Sequence, residues 1–239
     1  GPGQAGGPGL LRNRGGDQGM KVLLIRHGMT EGNRKSRYIG VTDEPLCLRG
    51  REQLAACRYP KPEILFASPL LRCRQTAGIL FPGMQPRLLE SLAECDFGDF
   101  ENKNWRELSG DPRYQQWIDS GGTLTFPGGE SPEKFRSRCV CGFEEAIRRC
   151  LSEKISLAAF VVHGGTIMSI LERFARPCGD YYSWSVKNGD GYQAWLAEEG
   201  WLSGEKELTD IRKLEFGGEN HGEGRSATSA SSQRGREDV

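Results

Sequence analysis

Two short apolar runs that each end in histidine and glycine constrain the fold of this chain most. Leu23–Gly28 reads Leu-Leu-Ile-Arg-His-Gly near the start, and Phe160–Gly165 reads Phe-Val-Val-His-Gly-Gly far downstream. Short apolar runs are typical of buried strands, and glycine lets the backbone turn sharply after them. Side chains that follow the carboxyl ends of strands in an open α/β sheet meet at one edge, where ligands bind. Either histidine alone fits an ordinary loop position, but together they predict one site in an α/β protein.

The remaining pattern predicts an α/β three-layer sandwich with a mostly parallel central sheet. Apolar strand candidates alternate with helical candidates, and right-handed crossovers place helices on both faces. The strands are expected at 21–26, 63–67 and 157–162, and the helices at 48–58, 69–81, 131–152 and 165–175. Residues 91–126, rich in Trp, Asp and Gly, are expected to form a small inserted cap, and 191–197 and 205–211 to form edge strands.

Composition changes at both ends of the 239-residue chain. Residues 1–19 are glycine-rich with few apolar side chains, so we expect a disordered N-terminal extension. Residues 20–216 are expected to form one domain. Residues 217–239, rich in Gly, Ser, Glu and Arg, are expected to be a disordered tail, which contains the third histidine, His221.

Charge and cysteine usage exclude several classes of protein. The 32 basic and 32 acidic residues balance, which predicts neither a nucleic acid nor a membrane surface as partner. The longest apolar stretch, 157–162, is too short to cross a bilayer, and no signal-peptide pattern is present, so we expect a cytoplasmic protein. The eight cysteines show no zinc-ligand spacing, so we expect buried thiols and neither metal nor cofactor. No pattern indicates an oligomeric state.

Five motifs occur in order between about residue 20 and residue 200. They are Arg26-His27-Gly28 with Thr30 and Asn33; Ser68, Leu70, Arg72, Gln75 and Thr76; Leu92, Glu94, Phe97 and Gly98; Gly128 to Ser131; and His163-Gly164. Together they resemble the histidine phosphatase superfamily, the phosphoglycerate mutase-like proteins, and its phosphatase branch in particular.

The resemblance implies a nucleophilic histidine in a cationic pocket. His27 would attack phosphorus and become a phosphohistidine, since a neutral imidazole is a competent nucleophile near neutral pH. Its other ring nitrogen is expected to donate to a backbone carbonyl such as that of Gly28. Arg26 and Arg72 would bind the phosphoryl oxygens, because a guanidinium matches phosphate geometry. Only the family spacing selects Arg72 over a surface role. His163 would donate a hydrogen bond to the transferred group.

The same resemblance assigns the proton transfer to Glu94. This residue would protonate the leaving alkoxide and later activate water, although Asp96, Asp99 and Glu101 are nearby alternatives.

Four further residues are candidates for substrate binding. They are Thr30, Asn33, Arg37 and Gly164. For the first three, a role in capping the loop is an equally good interpretation.

These motifs predict a metal-independent phosphomonoesterase that acts on a small phosphorylated metabolite. Phosphoglycerate mutase-type phosphoryl transfer is the main alternative. A non-catalytic phosphate-binding regulatory module is another, but it normally lacks one of the catalytic residues. Phe100, Asn102 and Cys73 depart from common versions of the family pattern, which leaves the shape of the cap and the choice of substrate open.

Overall fold

The computed structural model describes residues 11–12 and 16–216. The expected disordered tail at 217–239, with His221, lies outside the described residues, as do 1–10 and 13–15 of the expected N-terminal extension. Within that extension, Leu11–Arg12 form a short strand, and the first long strand begins at Gln18. This long strand therefore begins three residues before the strand predicted at 21–26.

The described strands form one mixed sheet. They are β1 (Leu11–Arg12), β2 (Gln18–Arg26), β3 (Ile64–Ala67), β4 (Arg87–Leu88), β5 (Leu157–Val162), β6 (Gly191–Ala197) and β7 (Thr209–Leu214). The order is β4-β3-β5-β2-β6-β7, and β1 pairs antiparallel with the start of β2. Strands β4, β3, β5 and β2 are parallel, whereas β6 is antiparallel to both of its neighbours. This arrangement confirms the mostly parallel α/β sheet.

The two late strands differ from the sequence prediction. Segment 191–197 was expected at an edge, but β6 lies between β2 and β7 and pairs with β2 from Gly191 to Ala197. Most of its residues are buried, as an interior strand requires. The edge strand itself occupies Thr209–Leu214 instead of 205–211.

The predicted helices form close to the expected bounds, with shorter helices between them. They are α1 (Glu31–Arg34), α2 (Leu48–Ala56), α3 (Leu71–Leu80), α4 (Trp105–Leu108), α5 (Pro112–Asp119), α6 (Pro132–Ser152), α7 (Gly164–Phe174) and α8 (Glu198–Ser203). The start of α6 follows from its sequence. Ser131 accepts a hydrogen bond from the Lys134 backbone N–H, and Pro132 occupies the first turn, where its missing N–H carries no penalty. No helix in the described ranges is long and apolar enough to span a membrane.

Helices pack on both faces of the sheet because successive residues of each strand point to opposite sides. Val22 and Leu24 face a core that includes Phe143 of α6. Leu23 and Ile25 face the opposite core, which includes Ala77 of α3. The result is the expected three-layer sandwich.

Residues 90–126 form the expected cap from two 3₁₀ turns, at Glu90–Leu92 and Gly98–Phe100, followed by α4 and α5. The cap packs around an aromatic cluster that it shares with the rest of the fold. The buried aromatic members of this cluster are Tyr38, Phe100, Tyr114, Trp117, Phe126 and Phe135. Because Tyr38 and Phe135 lie outside the cap, the cluster joins it to the loop after α1 and to α6.

The cysteines are all free thiols, but not all are buried. Cys141 and Cys178 are exposed, contrary to the expectation of buried thiols. Cys139 and Cys141 are two residues apart on α6, so the helix turns one toward the core and the other toward solvent.

Candidate active site

The two histidines lie side by side at the carboxyl ends of adjacent parallel strands. Arg26, the last residue of β2, pairs in register with Val162, the last residue of β5. His27 and His163 therefore follow the two strands at the same level. Their ring centroids are 5.2 Å apart in an edge-to-face arrangement, and both side chains are buried. The fold thus brings together the two motifs that are most distant in the sequence.

The orientation of the His27 ring is fixed by the backbone that follows it. Nδ1 lies 2.6 Å from the carbonyl oxygen of Gly28, so Nδ1–H donates and Nε2 keeps its lone pair. Burial, together with Arg72 and Arg26, holds the pKa of His27 well below its usual value. The ring is therefore neutral at physiological pH and presents a free nitrogen lone pair.

His163 has polar partners on the next strand and helix. Its Nε2 lies 2.7 Å from Oγ of Ser68, which follows β3, and 3.5 Å from Sγ of Cys73. Burial and the charge of Arg72 again hold the pKa of this histidine well below its usual value. Two neutral imidazoles thus share a site with guanidinium groups, which avoids the repulsion that charged rings would create.

Arg72 lies in the first turn of α3 and is fully buried. Its Nη1 donates to the carbonyl of Thr42 at 2.8 Å, and its Nη2 donates to those of Gly40 at 2.7 Å and Ile39 at 3.3 Å. Its Nε has no hydrogen-bond partner among the described residues. A buried guanidinium with an unused N–H is suited to binding an oxyanion.

The loop that holds Arg72 is itself held by a carboxylate of the cap. Glu101 accepts hydrogen bonds from the backbone N–H groups of Gly40, Val41 and Thr42 at 3.1, 2.9 and 3.4 Å. It also accepts from the Thr42 hydroxyl at 2.6 Å. Gly40 must be glycine here, because a Cβ would lie 1.8 Å from the Cys95 carbonyl oxygen. The cap and the arginine are thus joined through one short loop.

Arg26 supplies a second guanidinium. Its Nη1 donates to the carbonyl of Val186 at 2.7 Å, and the side chain lines a cavity beside the site.

Glu94 lies in the same site at the start of α7. Its Oε1 accepts from the backbone N–H of Cys95 at 2.9 Å and its Oε2 from that of Gly165 at 3.3 Å. Arg138 donates to the Glu94 carbonyl at 3.0 Å and pairs with Glu130 at 2.8 Å. The carboxyl group is therefore held at the positive end of the α7 dipole and faces the cavity.

The rival carboxylates have other roles. Asp96 accepts from the Gly98 N–H at 2.8 Å, Asp99 pairs with Arg113 at 2.7 Å, and Glu101 binds the loop described above. These contacts leave Glu94 as the acidic residue that lines the cavity.

Thr30 and Asn33 are placed as the capping interpretation describes. Each side chain accepts a hydrogen bond at 3.1 Å from the backbone N–H of the other at the start of α1. Asn188 donates to Asn33 at 3.2 Å and to the His27 carbonyl at 3.1 Å. The two residues thus stabilise the loop after His27.

The other two predicted substrate-binding residues lie at the cavity rim and at a helix start. Arg37 lines the cavity, and its Nη2 donates to Glu107 at 3.0 Å. Gly164 is the first residue of α7, so its N–H lies at the positive end of that helix.

A cavity of about 340 Å³ adjoins the site through Arg26 and Glu94, while His27, His163 and Arg72 are not among the residues that line it. Its floor includes Arg26, Glu94 and Gly165, and the cap forms much of its wall. No group of three or more His, Cys, Asp or Glu residues suited to a metal ion occurs within residues 16–216.

Several residues of the site were not predicted from the sequence as functional. They are Cys73, Arg138 and Asn188, together with Ser68, which was noted only within a motif, and Glu101, which was considered only as an alternative to Glu94. Most act through backbone groups, which leave no sequence pattern. The motif spacing was the only signal that could have assigned Ser68.

Comparisons with known proteins agree with this geometry. Residues 22–203 match the profile of the histidine phosphatase superfamily, branch 1. A 2,3-bisphosphoglycerate-dependent phosphoglycerate mutase of Rhizobium etli is 32% identical over 170 residues, which cover 65% of this chain and 80% of that protein. The uncharacterized phosphatase PhoE of Bacillus subtilis is 27% identical over 186 residues, 75% of this chain and 90% of that protein.

A solved structure supports the same assignment. The α-ribazole phosphatase of Shigella flexneri superposes with a TM-score of 0.67 at 25% identity, covering 84% of this chain and 100% of that chain. The fold, the site and the matched profile lead to one conclusion: the chain belongs to the histidine phosphatase superfamily, branch 1.

Proposed function

We propose that this protein is a phosphomonoesterase that hydrolyses a small phosphate ester through a phosphohistidine on His27. The observation that carries the proposal is the His27 ring: buried, neutral, with Nδ1 bound to the Gly28 carbonyl and Nε2 left as a nucleophile. Guanidinium groups of Arg26 and Arg72 lie close enough to lower its pKa.

In the first step, Nε2 of His27 forms a bond to phosphorus as the bond to the leaving oxygen breaks. Glu94, protonated at this stage, gives its proton to that oxygen, and the alcohol departs. Arg26, Arg72 and an N–H of His163 bind the equatorial oxygens, where negative charge is spread in the transition state.

In the second step, water attacks the phosphohistidine. The Glu94 carboxylate takes a proton from the water, the new oxygen–phosphorus bond forms, and the phosphorus–nitrogen bond breaks. The electron pair of the phosphorus–nitrogen bond returns to Nε2. Neutral His27 and protonated Glu94 are thereby regenerated, and inorganic phosphate leaves. This chemistry needs no metal ion, since the nucleophile and the positive charges are all side chains.

Thr30 and Asn33 support the reaction indirectly in this proposal. Their capping box and the bridge from Asn188 hold the loop whose Gly28 carbonyl orients the nucleophile.

The fate of the phosphoryl group separates hydrolysis from mutase-type transfer. The purified protein is incubated with a panel of phosphorylated metabolites, with and without EDTA, and free phosphate is measured beside redistribution of phosphate on 3-phosphoglycerate. Release of phosphate that EDTA does not reduce supports the proposal. Transfer between positions without release would favour a mutase, and neither outcome on any ester would favour a non-catalytic binding module.

A further inference from the structure

The cavity that Arg26 and Glu94 line is also lined by aromatic side chains from two separate parts of the fold. One group belongs to the cap and its contacts, and the other to the turn at Tyr181–Trp184. The aromatic residues that line it are Tyr38, Phe97, Trp117, Phe126, Phe135, Tyr181 and Tyr182. We propose that the substrate is a phosphate monoester whose alcohol carries an aromatic or similarly flat apolar ring. This inference rests on the proposed phosphatase function and names the class of its substrate.

The rings of the cap form a continuous packed wall. Phe97 and Phe126 meet edge to face with centroids 4.9 Å apart, and Trp117 lies 5.2 Å from Phe126. Trp117 and Phe126 are almost fully buried, so their positions are fixed before any ligand enters. Such a wall presents ring edges and ring faces to a bound ligand. An aromatic ring of the ligand can then pack edge to face or offset-stacked, the arrangements that aromatic pairs prefer.

The turn on the other segment is also arranged for a flat group. The guanidinium of Arg136 lies over the ring of Tyr181 at 3.9 Å, and Tyr182 meets Tyr181 edge to face at 5.0 Å. Met168 of α7 lines the cavity as well, and its thioether adapts readily to an aromatic partner.

The tyrosine hydroxyls of these walls are partly in use, since that of Tyr38 bonds to the Tyr114 hydroxyl and that of Tyr181 donates to the Gly165 carbonyl. A sugar hydroxyl placed against aromatic carbon loses its hydrogen bonds to water without replacement, which disfavours binding. The Trp117 indole N–H has no hydrogen-bond partner among the described residues. A single acceptor atom on an otherwise apolar ring would satisfy that donor.

Three of the five cationic side chains that line the cavity are paired with carboxylates, and Arg26 and Lys187 line it as well. Arg37 donates to Glu107 at 3.0 Å, and Arg136 lies 3.3 Å from Glu172. Lys213 lies 3.3 Å from Glu215. At Arg37, Arg136 or Lys213, a second anionic group such as the carboxylate of a phosphoglycerate would have to displace the carboxylate partner.

The available space fits such a ligand. About 340 Å³ lies near the lower end of the range of small-molecule sites, roughly 300–1,000 Å³. It can hold a phosphate with a one- or two-ring body.

The test compares esters whose leaving groups have similar reactivity. The probes are 2-phenylethyl phosphate, ethyl phosphate and 3-phosphoglycerate, with free phosphate as the readout. We expect kcat/KM for the phenylethyl ester to exceed each of the others about 30-fold, which corresponds to about 2 kcal/mol at 1.4 kcal/mol per tenfold. The phosphonates that match the phenylethyl and ethyl esters cannot be hydrolysed. Their inhibition constants as competitive inhibitors therefore repeat the comparison for binding alone.

Two variants of the walls and one matched control localise the effect. Phe97→Leu and Tyr182→Leu each reduce the ratio of kcat/KM for phenylethyl to ethyl phosphate at least 3-fold. Trp184→Leu leaves this ratio unchanged, because Trp184 lies on the same turn but does not line the cavity.

The outcomes distinguish this inference from the function beneath it. Phosphate release from all three esters with ratios near one would overturn the aromatic substrate class and leave the phosphatase function intact. Equal loss of the ratio in Trp184→Leu would also count against it. Release from none of a wide panel of esters would overturn the phosphatase function itself.

Discussion

Removing the Glu101 carboxylate should reduce the activity by displacing Arg72, although Glu101 and Arg72 share no direct hydrogen bond. Glu101 accepts hydrogen bonds from the N–H groups of Gly40, Val41 and Thr42. The carbonyls of Gly40 and Thr42 in turn bind the Arg72 guanidinium at 2.7 and 2.8 Å. Without the carboxylate, these N–H groups lose their acceptor and the loop loses its fixed position.

The size of the effect follows from these contacts. A hydrogen bond to a charged group contributes roughly 1.5–3 kcal/mol, and Glu101 is only half-buried. We therefore expect Glu101→Ala to lower the free energy of unfolding by about 2–4 kcal/mol. A displacement of about 1 Å in a catalytic group can reduce the rate by about 100-fold, so kcat/KM should fall about 10- to 100-fold. Glu101→Gln keeps one acceptor oxygen, so its free energy of unfolding and its kcat/KM should lie between those of Glu101→Ala and the wild type.

A double-mutant cycle tests the route of this effect. Phosphate release from an aryl ester is measured for Glu101→Ala, Arg72→Ala and the double variant, beside urea unfolding of each. Glu101→Ala should cost little further activity once Arg72 is absent. Glu63→Ala is the matched control, since Glu63 accepts from the Ser156 N–H at 2.9 Å at the opposite end of the sheet. Losses of activity that multiply independently in the double variant would refute the link between Glu101 and Arg72.

Three other predictions concern the two buried histidines, Glu94 and the capping box of α1. Because the pKa values of His27 and His163 are held well below that of unfolded histidine, near 6.5, the free energy of unfolding should fall by about 1 kcal/mol per histidine between pH 7.5 and 5.5. In His163→Gln, urea unfolding should show about half of this pH-dependent change in the free energy of unfolding. A pH dependence equal to that of the wild type would contradict the prediction. Glu94→Gln should slow hydrolysis of alkyl esters far more than that of aryl esters, whose leaving groups need little protonation, and equal slowing would argue against proton donation by Glu94. Thr30→Ala removes the capping box at the start of α1, so it should reduce the free energy of unfolding by about 1 kcal/mol and lower the melting temperature. Unaltered stability would show that the capping box contributes nothing.

The parts of the fold that sequence predicted well are those with strong local patterns. The runs before His27 and His163 formed adjacent strands, and Ser131 with Pro132 marked the start of α6. The interior position of β6 was missed, because a strand that is apolar on both faces gives no indication of where it pairs.

The candidate site was predictable where the proposed chemistry depends on side-chain type. Only the family spacing selected Arg72 over a surface role, and the structure separates it from the nearby Arg74. Arg72 is fully buried, whereas Arg74 donates to the Pro69 carbonyl at the surface. The role of Glu101 could not be predicted, since its partners are backbone N–H groups of a loop distant in sequence.

The most direct test of the account is to find the covalent phosphate. The protein is mixed with a ³²P-labelled ester, quenched in alkali, where phosphohistidine survives, and digested so that the labelled peptide can be sequenced by mass spectrometry. The label should lie on His27, and it should disappear in His27→Ala while remaining in His221→Ala. Continued turnover by a correctly folded His27→Ala protein, or label on another residue, would contradict the central claim.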